Sequence, residues 1–130
     1  MEKESDVNEH GIVRWEEKDL TEQQASQRLQ GLTAEEKARV QVMRLFGNNL
    51  TVVPRELLEL GSLTVLSLSK NFISSLPSSF GQLTSLTTLY LHDNLLSTLP
   101  ASMTNLQQLR QYVNPRFSCF FSVDSLVLAG

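Results

Sequence analysis

A step of 23 residues organises the middle of this chain. Written under one another, VQVMRLFGNNLTVVP from Val40, LTVLSLSKNFISSLP from Leu63 and LTTLYLHDNLLSTLP from Leu86 align without a gap. Each is followed by eight further residues, RELLELGS, SSFGQLTS and ASMTNLQQ, in which apolar side chains return at two places. Those places hold Leu57, Phe80 and Met103, then Leu60, Leu83 and Leu106. Self-similarity at such a period is the mark of a stacked solenoid, in which each unit leaves apolar surface that only its neighbours bury. The core of such a chain is linear rather than globular, and three repeats are about the least that sustains it.

Within each unit the first half reads as a short strand. Leu66 and Leu68 alternate with polar neighbours, as do Met43 with Leu45 and Leu89 with Leu91, the period-two pattern of a strand with one buried face. Since every repeat returns the chain to the same place, the strands are expected to be parallel, about 4.8 Å apart, with right-handed crossovers on the opposite side. Asn48, Asn71 and Asn94 follow the strands, where the backbone turns and loses its ladder partners. An amide side chain both donates and accepts, so a column of them ties each turn to the next. Pro54, Pro77 and Pro100 then fix φ and end the extended run, and a short helical or 3₁₀ turn follows at Ser78 and Ala101. Leu57, Phe80 and Met103 should form a spine in that outer layer.

The pattern LxxLxLxxNxLxxLP with an apolar second half, over Val40 to Gln108, resembles the leucine-rich repeat family. The resemblance implies an α/β fold: a short solenoid with a parallel β-sheet on its concave face and short helical or irregular turns on its convex face. The step and the closing Leu-Pro resemble the typical intracellular subclass found in Ras-associated and polarity scaffold proteins, which act by binding other proteins. Three repeats are expected, at 40–62, 63–85 and 86–108.

The two ends differ from this frame. Residues 1–9 are almost wholly polar and are expected to be disordered. Residues 10–39 read as a helical N-terminal cap. Thr21 with Gln24 and Thr33 with Glu36 have capping-box spacing, which predicts helices at about 21–30 and 33–39; Ala25, Leu29 and Leu32 share a face laid over the first repeat, and Ile12, Val13 and Trp15 are expected to pack there as well in a short strand or turn. At the far end, residues 109–130 read as a degenerate fourth repeat and an apolar tail. Leu109 and Tyr112 keep the spacing, and Asn114-Pro115 breaks it. Two readings of residues 115–130 stand: an irregular cap over the third repeat, or unrelated sequence ending a shortened repeat protein.

Charge and composition narrow the function classes. Residues 1–39 carry 10 acidic and 6 basic side chains, residues 40–114 carry 3 and 4, and the rest one of each. No basic stripe of the kind a phosphate backbone requires is formed, so nucleic acid is not expected as a partner. The N-terminal MEKESDVNEHG is charged where an export signal needs an apolar run, and no stretch approaches the roughly 18 apolar residues of a membrane helix. A cytoplasmic chain without membrane association is therefore expected, and the sequon Asn49-Leu50-Thr51 is expected to carry no glycan. Cys119 has no second thiol to pair with.

No catalytic, metal or cofactor site is expected. His10 and His92 are far apart, and no glycine-rich phosphate loop exists. Function is instead expected on the concave face, where strand side chains point away from the core. The candidate residues are Arg44, Phe46 and Asn49 in the first repeat, Ser67, Lys70 and Phe72 in the second, and Tyr90, His92, Asp93 and Leu95 in the third. Phe46, Phe72 and Tyr90, flanked by Arg44, Lys70 and Asp93, have the composition of an interface hot spot for a protein or peptide. A non-catalytic scaffold or adaptor in intracellular signalling is the expected role. The alternative is a repeat segment of a larger signalling enzyme, a kinase, GTPase or ubiquitin ligase, that recognises its substrate.

Overall fold

The computed structural model describes residues 6–96 and 98–109, and the backbone of 111–113. Within those bounds the chain forms a five-stranded parallel sheet in sequential order: β1 (Ile12–Arg14), β2 (Val42–Arg44), β3 (Val65–Ser67), β4 (Thr88–Tyr90) and β5 (Gln111–Val113). The register repeats the sequence alignment: Met43 lies opposite Leu66, Leu66 opposite Leu89, and Leu89 opposite Tyr112. Three strands are expected from the repeats; β1 falls where a short strand or turn is expected in the leader, and β5 where the degenerate fourth repeat begins.

The first added strand comes from the leader. Val13 pairs with Met43, 30 residues away rather than 23, because α1 (Glu22–Gln30) and α2 (Ala34–Arg39) fill the connection. Both helices begin at the expected threonines. The Thr21 hydroxyl accepts from the Gln24 N–H at 3.3 Å and the Thr33 hydroxyl from the Glu36 N–H at 3.1 Å, while the Gln24 and Glu36 side chains reach back to the threonine N–H groups. These reciprocal bonds satisfy two of the four orphan donors at each helix start. Val13, Trp15, Ala25 and Leu29 are buried in one continuous core with the leucines of the repeats.

Disorder across 1–9 is corrected where the structure describes it. Val7 is 3% exposed and forms an antiparallel bridge with Val13, and Asn8 Oδ1 accepts from the N–H groups of His10 and Ile12. A buried valine and an Asx turn accompany the return of this stretch onto β1. Residues 1–5, and the expectations for Cys119 and the tail from Asn114 onward, lie outside the described residues.

On the outer side each proline opens a 3₁₀ turn, at Arg55–Glu59, Ser78–Gln82 and Ala101–Asn105. Leu57, Phe80 and Met103 are buried there in a row, with Leu60, Leu83 and Leu106 beside them. The second and third turns approach so closely that a Cβ on Gly81 would collide with the Ser102 carbonyl oxygen; its N–H instead donates to Ser102 Oγ at 3.1 Å.

The asparagine column holds the inner turns together. Asn71 Nδ2 donates to the carbonyls of Leu68 (2.9 Å) and of Leu45 one turn back (3.0 Å), and its Oδ1 accepts from the Leu50 N–H (3.0 Å). Asn94 makes the same three bonds to Leu91, Leu68 and Ile73. Asn48 extends the column to the leader, donating to the Trp15 carbonyl and accepting from the N–H groups of Lys18 and Leu20.

Candidate protein-binding face

Hydrogen bonding between turns continues past the strands and carries further side chains onto the outward side of the sheet. The N–H groups of Trp15, Leu45 and Leu68 donate to the carbonyls of Arg44, Ser67 and Tyr90, and those of Glu17, Gly47 and Lys70 to Phe46, Ser69 and His92. Three columns result. Ile12, Val42, Val65 and Thr88 form the first, Arg14, Arg44, Ser67 and Tyr90 the second, and Glu16, Phe46, Ser69 and His92 the third. Apart from exposed Arg14 and buried Ser69, these residues are half-buried. They are packed on their flanks by neighbouring turns and open at their ends, as a pre-formed contact surface requires.

Specific contacts order this surface. The Arg44 guanidinium lies over the Phe46 ring, 5.6 Å from its centroid, and its Nε is 3.9 Å from Glu16 Oε1. Cation–π stacking holds a guanidinium flat while leaving its edge donors free for a planar acceptor. Two turns further along, His92 meets Tyr90 edge-on, with ring centroids 6.5 Å apart and planes at 88°.

His92 does not work with its neighbour Asp93. Its Nδ1 is 2.9 Å from Ser69 Oγ, one repeat step back. Ser69 was not among the candidate residues, although the 23-residue step that aligns it with His92 could have found it. A serine and a histidine in contact do not make a nucleophile here: Ser69 is 2% exposed, and its hydroxyl serves to orient the imidazole. Among the described residues no group of three or more His, Cys, Asp and Glu side chains could hold a metal ion, and no helix is long and apolar enough to cross a membrane.

The remaining candidates sit on a rim beside the columns. Glu17, Gly47, Lys70 and Asp93 occupy one position of successive turns, and all four have left-handed backbone, with φ of 55°, 74°, 57° and 59°. Two residues on, Asn49, Phe72 and Leu95 form a further row, their N–H groups bonded to the carbonyls of Leu20, Leu50 and Ile73. Phe72 and Leu95 are 52% and 56% exposed. The expected hot spot therefore divides: Phe46 and Tyr90 face outward from the sheet with Arg44 and His92, while Phe72 stands on the rim with Lys70, Asp93 and Leu95.

This chain resembles known proteins over part of its length. A family model described as leucine rich repeat matches residues 38–96. A solved leucine-rich repeat protein of Leptospira interrogans is 37% identical, with a TM-score of 0.54, over 65% of this chain and 23% of its own. A structure of the Toll–Spatzle complex of Drosophila is 20% identical with a TM-score of 0.44, over 67% of this chain and 14% of that one. The chain thus spans less than a quarter of either solved protein. No curated protein matches. With its period, asparagine column and parallel sheet, the chain forms a leucine-rich repeat solenoid, and residues 38–96 match the leucine-rich repeat family. It is a repeat module of the protein-interaction type.

Proposed function

We propose that this chain is a non-catalytic binding module, a cytoplasmic scaffold or adaptor in signalling, that takes a protein or peptide partner on the concave face. The observation that carries this reading is the pairing of Arg44 over Phe46 with Tyr90 against His92, four half-buried side chains of one sheet, on turns separated by the one that carries Ser67 and Ser69. Aromatic and arginine side chains held in fixed positions lose little conformational freedom on binding, which is why they dominate interface energetics. Asn49, Ser67, Lys70, Phe72, Asp93 and Leu95 border this centre and enlarge it toward the roughly 800 Å² per partner of a standard interface.

The leader closes the first end of the stack in this account. An open solenoid exposes apolar interior at its ends, and Trp15 with Leu29 is buried against the first repeat in one core with it.

Affinity capture from cell extract with the full chain tests the reading. Phe46→Ala and Tyr90→Ala should each lose the captured protein, and Gln82→Ala, an exposed change on the convex side, should retain it. Loss through Gln82→Ala with retention through both aromatic variants would place the binding face elsewhere.

A further inference from the structure

We propose that the rim carrying Lys70, Phe72, Asp93 and Leu95 pairs with a second copy of this chain about a twofold axis. The proposal concerns the rim and not the outward columns; it does not rest on the reading of the concave face, and where that reading holds, the second copy and the partner compete for these four residues.

Lys70 and Asp93 are one repeat step apart, at the same position of neighbouring turns, with the same left-handed backbone. The Lys70 N–H donates to the carbonyl of His92, so the two turns lie side by side at this point. Both side chains are exposed, and neither forms an ion pair with the other or with any other described residue. Phe72 and Leu95 stand in the same relation in the next row, and with Val52 they are the exposed large apolar residues of the described chain. The rim thus presents two rows, each two residues long. One holds opposite charges and the other holds two large apolar groups.

Such an arrangement is self-complementary. A twofold axis lying in the interface, across the stack and midway between these turns, sets each position of one turn against the other turn of the second copy. Lys70 then faces the second copy's Asp93, Asp93 faces its Lys70, and the Phe72–Leu95 row covers its own image. An isologous interface needs this kind of match, in which residue i meets j and j meets i. Two ion pairs and two apolar contacts follow from one operation. Head-to-tail stacking would instead leave one charge of each rim without a partner.

Sedimentation equilibrium of the purified full chain tests the proposal. Lys70→Asp gives each rim two carboxylates and Asp93→Lys two ammonium groups, so each variant repels itself. Asp tolerates left-handed backbone and Lys already adopts it at position 70, so both should fold, which circular dichroism checks. The wild-type chain should show a reversible monomer–dimer equilibrium, and each variant alone should weaken it by about tenfold, the sum of two lost and two repulsive surface pairs. An equimolar mixture of the two variants should pair again to within about threefold of wild type, because two carboxylates then meet two ammonium groups. A wild-type chain that is monomeric throughout, or one whose association is unmoved by either variant, would overturn the proposal. So would a mixture that stays as weak as its components.

Discussion

The amide of Asn71 and the carbonyl of Leu45 are joined across one full turn of the solenoid, 26 residues apart in the chain and 3.0 Å apart in space. Asn71 is buried, and its Oδ1 also holds the N–H of Leu50. Replacing it with Ala strands these groups away from water, so Asn71→Ala should lower stability by about 2–3 kcal/mol. Asn94 makes the equivalent bonds in a half-buried setting, where water can replace them, and Asn94→Ala should cost less. Urea unfolding of both variants measures the difference; equal losses would count against burial as the cause.

Phe80 is fully buried at the centre of the outer spine, between Leu57 and Met103. Phe80→Ala should cost about 3–5 kcal/mol, the usual loss for a core phenylalanine. In a stack this short that loss should unfold the repeats together. Thermal unfolding followed at 222 nm should show one transition displaced downward, and an unchanged midpoint would contradict the packing.

Two glycines separate steric need from chance. A Cβ at position 81 would collide with the carbonyl oxygen of Ser102, whereas one at position 61 would meet nothing within 4 Å. Gly81→Ala should therefore destabilise by about 1–3 kcal/mol through overpacking, and Gly61→Ala should be neutral within about 0.5 kcal/mol. Chemical denaturation of the pair decides the matter, since the two changes are chemically identical.

Acid should loosen the leader from the first repeat. The Glu56 carboxylate accepts from Gln30 Nε2 of α1 at 2.7 Å, a bond that holds its pKa below the ordinary 4.5. Glu22 is also lowered, mainly by its own backbone N–H at the start of α1 and further by the Thr51 hydroxyl. A folded-state pKa below the unfolded value means that the unfolded chain binds more protons in that range. The contribution is present above about pH 4.5 and fades as pH falls through the folded-state values. Glu56→Gln should flatten this acid limb in melting temperatures taken from pH 6 down to pH 3. A limb as steep as wild type would mean that the Gln30 contact contributes nothing.

Much of this architecture is legible in the sequence because repetition converts spacing into position. Met43, Leu66 and Leu89 are matched in the alignment and are opposite one another in the sheet. Pro54, Pro77 and Pro100 mark the starts of the 3₁₀ turns, and Thr21 and Thr33 those of the helices. A short strand or turn over the first repeat is legible at Ile12, Val13 and Trp15, but the register of Val13 is not, since its partner Met43 lies beyond two inserted helices and the 23-residue step does not reach it. Val7 has no periodic signal at all. It is buried in the core and bridges Val13, a tertiary event.

The face is less legible than the fold. Alternation shows that Phe46 and Tyr90 turn away from the core, but not that Phe72, two residues beyond a left-handed turn, belongs to a separate rim. Chain neighbours suggest His92 with Asp93, whereas the solenoid joins His92 to Ser69. In a repeat protein the residue one period away is nearer in function than the residue next door.

Hydrogen–deuterium exchange of the full chain, alone and with the protein it captures, tests the central claim most directly. Binding should slow exchange in 42–46, 65–69 and 88–92, the outward columns of the sheet, and leave the turns at 55–59, 78–82 and 101–105 unchanged. Protection confined to those convex turns, with the sheet unaffected, would contradict the concave face as the site of binding.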